Sequence, residues 1–420
     1  MYKLLSLVGF STQQHSLKTE ILSGFTTFAT MSYILAFIPS MFAPLGDKGY
    51  PVGAQLTATI LGAIVGTLLM AFLARRPFGL APGLTLNVFF VETVCLALGY
   101  SWQFALTAVL IEGLLFVLLC MSGLRHIIFD MMPASLKYSI AAGIGFFIAA
   151  IGFKNSGLLA GGTIFNHIDT LTRPASLLFL FGLVLAGALI VLRVRGGLLL
   201  TIVAVTLIGI PLGVTTLPDN LFALPASPAP LLFQFSWSDI FTPDLWVCVL
   251  TMLFFDVFDT LGSVVGLMAN SGLIRTDGRI PYMRNIMLSD AIATMTGACL
   301  GCSTVTTYVE SATGVAEGGR TGLSALVIAL CFVCSLFFAP LFLAIPAAAT
   351  APVMIMSGFY LFGSVRHIRL SWAADAMPAF LTILLMPITG SITDGIIAGL
   401  STYVIFSYID GWIHRRNDSE

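Results

Sequence analysis

The feature that most constrains this chain is a series of apolar stretches, each long enough to cross a lipid bilayer as a helix. A membrane-spanning helix needs about 20 mostly apolar residues, and stretches of that kind recur from residue 21 to residue 413. Hydrophobic residues make up 58% of the chain and charged residues only 9%, whereas soluble domains carry about 25% charged residues. These values exclude a soluble enzyme, a disordered chain and a nucleic-acid-binding protein. We therefore expect an integral membrane protein embedded in the lipid bilayer.

The apolar stretches fall into two sets of seven, separated by a Pro- and Asp-rich loop at 214–243. The first set lies near 21–43, 52–74, 80–98, 101–121, 134–153, 173–192 and 197–213. The second set lies near 244–267, 285–300, 304–320, 321–345, 349–362, 371–389 and 391–413. The pattern predicts an all-α polytopic protein with about 14 spans.

The distribution of Lys and Arg predicts the orientation of these spans. With both termini in the cytoplasm, only three of the 19 Lys and Arg residues fall outside, namely Lys48, Lys154 and Arg173. Cytoplasmic loops of membrane proteins are enriched in these residues. Because a miscount by one span would reverse every later loop, the bias supports an even number of spans. It predicts a multi-pass protein of the plasma membrane.

Two stretches cannot be simple lipid-facing helices. Residues 75–87 (RRPFGLAPGLTLN) contain two prolines and two glycines, and residues 301–322 (GCSTVTTYVESATGVAEGGRTG) are rich in Ser, Thr and Gly. Irregular backbone at membrane depth is tolerated only inside protein or beside a wet cavity. We expect a short strand followed by a half-helix in each, at the third span of each half. Matching interruptions of this kind indicate a transporter binding site; the alternative is a pair of re-entrant loops without a ligand.

Acidic residues inside the spans are the next candidates for function, because charges at membrane depth are costly and usually functional. Four lie close to the second interruption: Asp256, Asp259, Asp290 and Glu310. For Glu92, Glu112 and Asp375 we prefer a structural role as hydrogen-bond partners.

Covalent catalysis is not indicated by the sequence. The two CxxC pairs, Cys299/Cys302 and Cys331/Cys334, lie in apolar runs without a nearby His, and we interpret them as packing residues. The histidines lie at span ends or in loops: His15, His126, His167, His367 and His414. We expect neither a metal site nor a cofactor. Because the chain has no nucleotide-binding motif, active transport would use an ion gradient, with protons carried on a buried carboxyl group.

Four segments resemble the purine permeases of the nucleobase–cation symporter superfamily, in the AzgA-like branch that takes up adenine, guanine and hypoxanthine. They are TEILSGFTTFATMSYIL in the first span, RPFGLAPGLTLNVFF in the third, FFDVFDTLGSVVG in the eighth and STVTTYVESATGVAEGGRTGL in the tenth. The resemblance runs over nearly the whole chain. It implies two inverted repeats of seven spans, with short strands in spans 3 and 10, forming a core domain and a gate domain that move by an elevator mechanism.

The domain boundaries implied by the resemblance are as follows. They are 1–20 for the cytoplasmic N-terminus, 21–133 and 244–345 for the core, 134–213 and 346–413 for the gate, 214–243 for the extracytoplasmic loop and 414–420 for the cytoplasmic tail.

The resemblance also implies the site residues. Asp259, Asp290, Glu310 and Asn87 match acidic or amide positions of the family motifs, Asp256 is the less certain of the eighth-span pair, and the first span contributes Thr27. The chain departs from the family at Thr85, where Gly is usual, and at Ile38, where many members have Asn. These departures concern the preferred purine rather than the class of substrate.

The chemistry of a purine suggests a role for each residue. Glu310, at the start of a half-helix, would be an ionised acceptor for the N–H edge of the base. Asp259, in an apolar span, would favour its protonated form and couple proton movement, supported by Asp290 and Asp256. Phe89 or Tyr308 would stack on the ring, and Thr85 would shape the pocket wall.

Two further classes of function stay open at this point. The same architecture would serve an anion transporter or exchanger, although carboxylates at 259 and 310 would repel an anion. A membrane-embedded enzyme or a channel is the other alternative. A homodimer is the assembly that we consider.

Overall fold

The structure of the protein is a computed structural model. It describes residues 7–11, 15–122, 134–156, 158, 173–194, 196–218, 220–270, 282–390 and 392–417.

The first half of the chain contains eight helices and one strand within these residues. In chain order they are α1 (Leu17–Met31), α2 (Ile34–Phe42), α3 (Val52–Leu69), β1 (Leu80–Pro82), α4 (Leu84–Val88), α5 (Trp102–Ser122), α6 (Ala134–Asn155), α7 (Pro174–Val191) and α8 (Gly197–Gly209). The π-helical segment Met70–Ala74 extends α3, and another, Phe89–Ala97, extends α4.

The second half has a similar order of elements. They are α9 (Pro243–Asn270), α10 (Met283–Leu300), β2 (Val305–Thr307), α11 (Ser311–Ala316), α12 (Gly322–Ser335), α13 (Ala339–Leu343), α14 (Ala347–Phe362), α15 (Ala373–Thr389) and α16 (Ile392–Asn417). Short 3₁₀ turns occur at Ala43–Lys48, Ala229–Leu231, Leu336–Phe338 and Gly363–His367.

Each of the predicted apolar stretches contains a helix or a strand followed by a helix, which confirms the polytopic membrane fold. Six helical stretches of the described residues are long and apolar enough to cross a membrane: Leu17–Lys48, Val52–Ala74, Trp102–Ser122, Pro174–Val191, Gly322–Leu343 and Ala347–His367. The tenth stretch differs most from an ordinary span, since it consists of a three-residue strand and the six-residue helix α11.

The helices pack in two groups. In one group, α10 lies against α3 and α5, α9 lies against α5, and α12 and α11 lie against α1. In the other group, α14 and α15 pack on α6, α7 and α8 pack on α14, and α16 packs on α15. The two groups contain the elements that the sequence assigns to the core and to the gate, and the domain boundaries themselves stay a prediction.

The two strands meet inside the first group. β1 and β2 pair antiparallel, with Leu80 opposite Thr307, Ala81 opposite Thr306 and Pro82 opposite Val305. All six residues are buried in protein, so their backbone groups avoid lipid, as irregular backbone at this depth must. Pro82 does not interrupt the ladder, because the hydrogen bond from Gly83 to Thr304 makes the adjacent Pro82–Val305 pair one whose backbone groups point away from the partner strand.

Candidate functional site

The strand pair is extended at both ends by backbone hydrogen bonds. The Gly83 N–H donates to the Thr304 carbonyl at 2.9 Å, and the Tyr308 N–H donates to the Gly79 carbonyl at 3.0 Å. Helix α3 lies directly against both strands at Gly66, where a Cβ atom would come within 2.8 Å of Val305 and 3.1 Å of Leu80. The two predicted interruptions therefore form one small ribbon.

Asp290 on α10 anchors strand β2 through hydroxyl groups. Its Oδ2 accepts from Thr306 Oγ1 at 3.0 Å and its Oδ1 from Thr307 Oγ1 at 2.7 Å. The Thr260 hydroxyl of α9 donates to the same carboxylate. Asp290 is fully buried, and these three donors replace the hydration that an ionised carboxylate loses on burial. The side chain predicted to support the network thus fixes β2 to α9 and α10.

Asn87 is the polar side chain that follows β1. It is fully buried, and neither its Nδ2 nor its Oδ1 has a hydrogen-bond partner among the described residues. A buried amide without partners costs free energy, so the Asn87 amide has its hydrogen-bonding groups free for a ligand. Thr85, two positions before Asn87 in α4, is half-buried.

Glu310 lies three residues beyond β2 and is half-buried at the start of α11. Its Oε1 accepts a hydrogen bond of 2.9 Å from the Tyr33 hydroxyl. Tyr33 lies between α1 and α2, where the first span is interrupted, and is only 1% exposed. The location of Glu310 is as predicted, although α11, at six residues, is shorter than the predicted half-helix.

Asp259 is half-buried on α9. It lies close enough to Asp290 and Glu310 for their charges to act on it. Asp256, one turn earlier, is fully buried and accepts a 3.0 Å hydrogen bond from Thr294 Oγ1 of α10. The structure therefore brings the four acids predicted from sequence into one region beside β2.

The remaining predicted residues occupy different surroundings. Tyr308 is 5% exposed, and its hydroxyl donates to the Pro82 carbonyl at 2.5 Å, which links β2 to β1. Phe89 is fully buried with its ring edge-on to Phe255 at 6.0 Å. Thr27 is buried directly under α11, since a Cβ at Gly314 would lie 2.1 Å from its Oγ1. Stacking of Tyr308 or Phe89 on a ligand stays a prediction.

A family model described as a permease family matches residues 18–397 of this chain. The chain belongs to this permease family. It is 38% identical over 401 residues to the guanine/hypoxanthine permease PbuO of Bacillus subtilis (strain 168), covering 94% of this chain and 92% of the relative. It is 32% identical over 399 residues to the adenine permease AdeP of Escherichia coli (strain K12), covering 94% and 89%.

The fold of this permease is also similar to a solved structure, the transmembrane domain of a cyanobacterium bicarbonate transporter, BicA. The TM-score is 0.68 at 18% identity, with 92% of this chain and 98% of that chain covered. At this identity the likeness concerns the fold alone. The family resemblance inferred from the motifs is confirmed, and the protein is a membrane transporter rather than an enzyme.

Two residues of the permease site were not singled out from the sequence. Tyr33 binds Glu310 across 277 positions of the chain, and the signal that could have found it is the interruption of the first span beside it. Glu112 on α5 was interpreted as structural, yet its carboxyl group faces that of Asp256. The sequence feature that marks Glu112 is the same as for the four predicted acids, namely a carboxyl group in an apolar span.

Proposed function

We propose that this permease takes up purine nucleobases, adenine, guanine or hypoxanthine, together with protons across the plasma membrane. The observation that carries the proposal is the fully buried Asn87 amide without a partner, which lies beyond one end of the strand pair. Glu310 lies beyond the other strand, and α9 contacts both α4 and α11. A purine edge offers alternating donors and acceptors, which an amide and a carboxylate can satisfy together.

The relatives support this class of substrate. PbuO is a guanine/hypoxanthine permease and AdeP an adenine permease, and this chain matches both over more than nine-tenths of its length. Asn87 and Glu310 would hold the base, with Thr85 and Thr27 nearby and with Tyr308 or Phe89 against its face. The alternative is transport of an anion, as in the bicarbonate transporter BicA, which has a similar fold. Asp259, Asp290 and Glu310 oppose it, because clustered carboxylates repel an anion.

Asp259 is our candidate for proton coupling. It is half-buried between the anchored Asp290 and the substrate residue Glu310. A carboxyl group in an apolar span, beside two other carboxyl groups, is a group that can carry a proton across a membrane. Movement of the core group of helices against the gate group would carry the base and the proton together. We also propose that both termini are cytoplasmic, as the Lys and Arg distribution predicts.

Uptake by cells or proteoliposomes tests the substrate. Radiolabelled adenine, guanine and hypoxanthine should be accumulated, and a proton uncoupler should abolish the accumulation. Sulfate and bicarbonate serve as anion controls. Uptake of an anion with no uptake of any purine would favour the alternative function.

The Asp259→Asn variant tests the proton coupling. The amide keeps the shape and hydrogen bonding of the side chain but cannot titrate. We expect purine binding with a weakened pH dependence and no accumulation against a gradient. Asp244→Asn, at the first turn of the same helix, is the matched control and should accumulate purine normally. If Asp259→Asn still concentrates purine in response to a proton gradient, Asp259 is not the coupling acid.

A further inference from the structure

Two carboxyl groups that the proposed substrate site does not use face each other between α5 and α9. Glu112 and Asp256 are both fully buried, and each carboxyl lies within hydrogen-bonding reach of the other. As carboxylates they have no hydrogen to share, and Glu112 Oε1, Glu112 Oε2 and Asp256 Oδ1 have no other donor among the described residues. Two ionised carboxylates this close and this dry repel each other strongly, so at least one proton lies between them.

Within the part of the chain that the structure describes, the groups around the pair do not neutralise it. Asp290, on α10, lies close enough to both carboxyl groups for its negative charge to repel theirs. Asp259, on the same helix as Asp256, is the next acid along α9. The nearest hydrogen-bond donor is a neutral hydroxyl, that of Thr294 on α10. A proton, rather than a neighbouring cation, is therefore the group that satisfies this site.

Thr294 connects the pair to the binding-site strand. Its Oγ1 lies 3.0 Å from Asp256 Oδ2 and 3.1 Å from the carbonyl oxygen of Val305 in β2. A hydroxyl has one hydrogen, so Thr294 cannot donate to both oxygens at full strength. Pro82 lies opposite Val305, and since the next pair, Gly83–Thr304, is hydrogen-bonded, the backbone groups of Val305 point away from β1 and receive no hydrogen bond from it. Three contacts thus run in a row, from Glu112 to Asp256 to Thr294 to Val305.

The number of hydrogens decides how many of these contacts can form. With one proton on Glu112, that proton bonds Asp256 and the Thr294 hydrogen bonds Asp256 as well, so the Val305 carbonyl keeps no side-chain donor among the described residues. With a second proton on Asp256 Oδ2, Asp256 donates to Thr294 and the Thr294 hydrogen turns to Val305. Only the doubly protonated pair completes all three bonds.

We propose that the Glu112–Asp256 pair is a proton-binding site whose second proton turns the Thr294 hydroxyl onto strand β2 and thereby strengthens substrate binding. The proposal rests on the proposed purine transport, because β2 leads directly to Tyr308 and Glu310. If protonation favours substrate binding, substrate binding favours protonation by the same factor. The pair therefore couples proton binding to substrate binding through the backbone of β2, which contacts neither the bound proton nor the substrate.

Three substitutions fix the row of contacts in different states. In Asp256→Asn, the amide N–H donates to Thr294 permanently, which copies the doubly protonated state. In Thr294→Val, no hydroxyl reaches Val305, which copies the state with one proton. In Glu112→Gln, the amide replaces the proton between the two carboxyl groups but leaves Asp256 free to take up the second one. Thr294→Ser keeps the hydroxyl and serves as the matched control.

The test measures purine binding to the purified full-length protein as a function of pH, using radiolabelled hypoxanthine, guanine and adenine. All variants are made in the Asp259→Asn background, which removes the other proposed proton site. We expect the parent to bind about fivefold more weakly at alkaline than at acidic pH, as the loss of about one hydrogen bond implies. Asp256→Asn should bind tightly and Thr294→Val weakly, both without pH dependence, whereas Glu112→Gln and Thr294→Ser should follow the parent.

Infrared spectroscopy of the same proteins without purine gives an independent readout. The parent should keep a protonated-carboxyl band at alkaline pH, and Glu112→Gln should lose it. The proposal is overturned if that band is unchanged in Glu112→Gln, or if Asp256→Asn and Thr294→Val keep the pH profile of the parent. Failure of the parent to bind any purine while the infrared result holds would instead contradict the proposed substrate.

Discussion

The two strands of the central ribbon are held in place by different means. In β2, Thr306 and Thr307 bind Asp290 through their side chains. In β1, which reads Leu-Ala-Pro, neighbouring hydroxyl groups hold the backbone: Thr67 Oγ1 lies 3.0 Å from both the N–H and the carbonyl of Leu80, and the Tyr308 hydroxyl donates to the Pro82 carbonyl. Both threonine hydroxyls within β2 have partners, as Thr306 and Thr307 show, whereas Asn87, which follows β1, has none among the described residues.

This difference separates stability from binding. A buried polar group that is fully satisfied rigidifies the fold, and one that is unsatisfied in the empty protein is available to a ligand. The β2 strand should therefore be a fixed element of the site, and Asn87, beyond β1, a side chain that is free to meet the substrate. Substitution of Asp290, which anchors β2, should then lower stability, whereas substitution of Asn87 should lower substrate binding.

Asp290→Ala should give the largest effect and should act on stability. It removes the acceptor of three buried hydroxyls, those of Thr260, Thr306 and Thr307. Because each unsatisfied buried donor costs about 1–3 kcal/mol, we expect a total loss of about 3 kcal/mol or more. Thermal unfolding of the purified protein measures it. Asp290→Asn, which keeps one acceptor, should lose less, and an unchanged melting temperature in Asp290→Ala would contradict the anchoring role of this acid.

Asn87→Ala should act on binding and leave stability almost unchanged. The amide has no protein partner to lose among the described residues, and removing an unsatisfied buried group is not destabilising in itself. We expect purine affinity to fall at least tenfold, as two lost hydrogen bonds of about 1 kcal/mol each imply. Binding of radiolabelled purine and a melting curve on the same preparation measure both properties.

The control for Asn87 is Thr93→Val, on the same segment of the third span. Thr93 also has a buried oxygen without a partner, but it lies further from the strand pair and has no proposed contact with substrate. Purine affinity should be unchanged in this variant. If Asn87→Ala melts much earlier than the wild type and Thr93→Val does not, Asn87 is a structural residue and the two strands do not differ as proposed.

The sequence predicted the two strands and the acids but not their partners. The Pro/Gly and Ser/Thr composition of 75–87 and 301–322 was sufficient to place β1 and β2, because irregular backbone at membrane depth leaves a clear compositional signal. The cluster of acids could be found because Asp256, Asp259 and Asp290 lie on consecutive helices.

Other contacts depend on tertiary packing, which leaves no local signal in one sequence. Glu112 meets Asp256 because α5 packs on α9, and in the sequence it resembled any other isolated acid. Tyr33 reaches Glu310 because α1 packs on α11. The register that sets Pro82 opposite Val305 also has no signature, since neither strand alternates over more than three residues.

Thr85→Gly should give the smallest of these effects and should change selectivity rather than affinity for every base. Thr85 is half-buried on the first turn of α4, two positions before Asn87, where the resembling family usually has glycine. Removing its side chain should enlarge the space beside β1 and change the order of preference among adenine, guanine and hypoxanthine. Glycine in a helix also costs about 1 kcal/mol of backbone entropy, and Thr85→Ala separates that cost from the loss of the side chain. Competition of the three purines against one radiolabelled base measures the order. The same order in wild type, Thr85→Ala and Thr85→Gly would show that Thr85 faces protein, and the substrate-facing residues beyond β1 would then begin at Asn87.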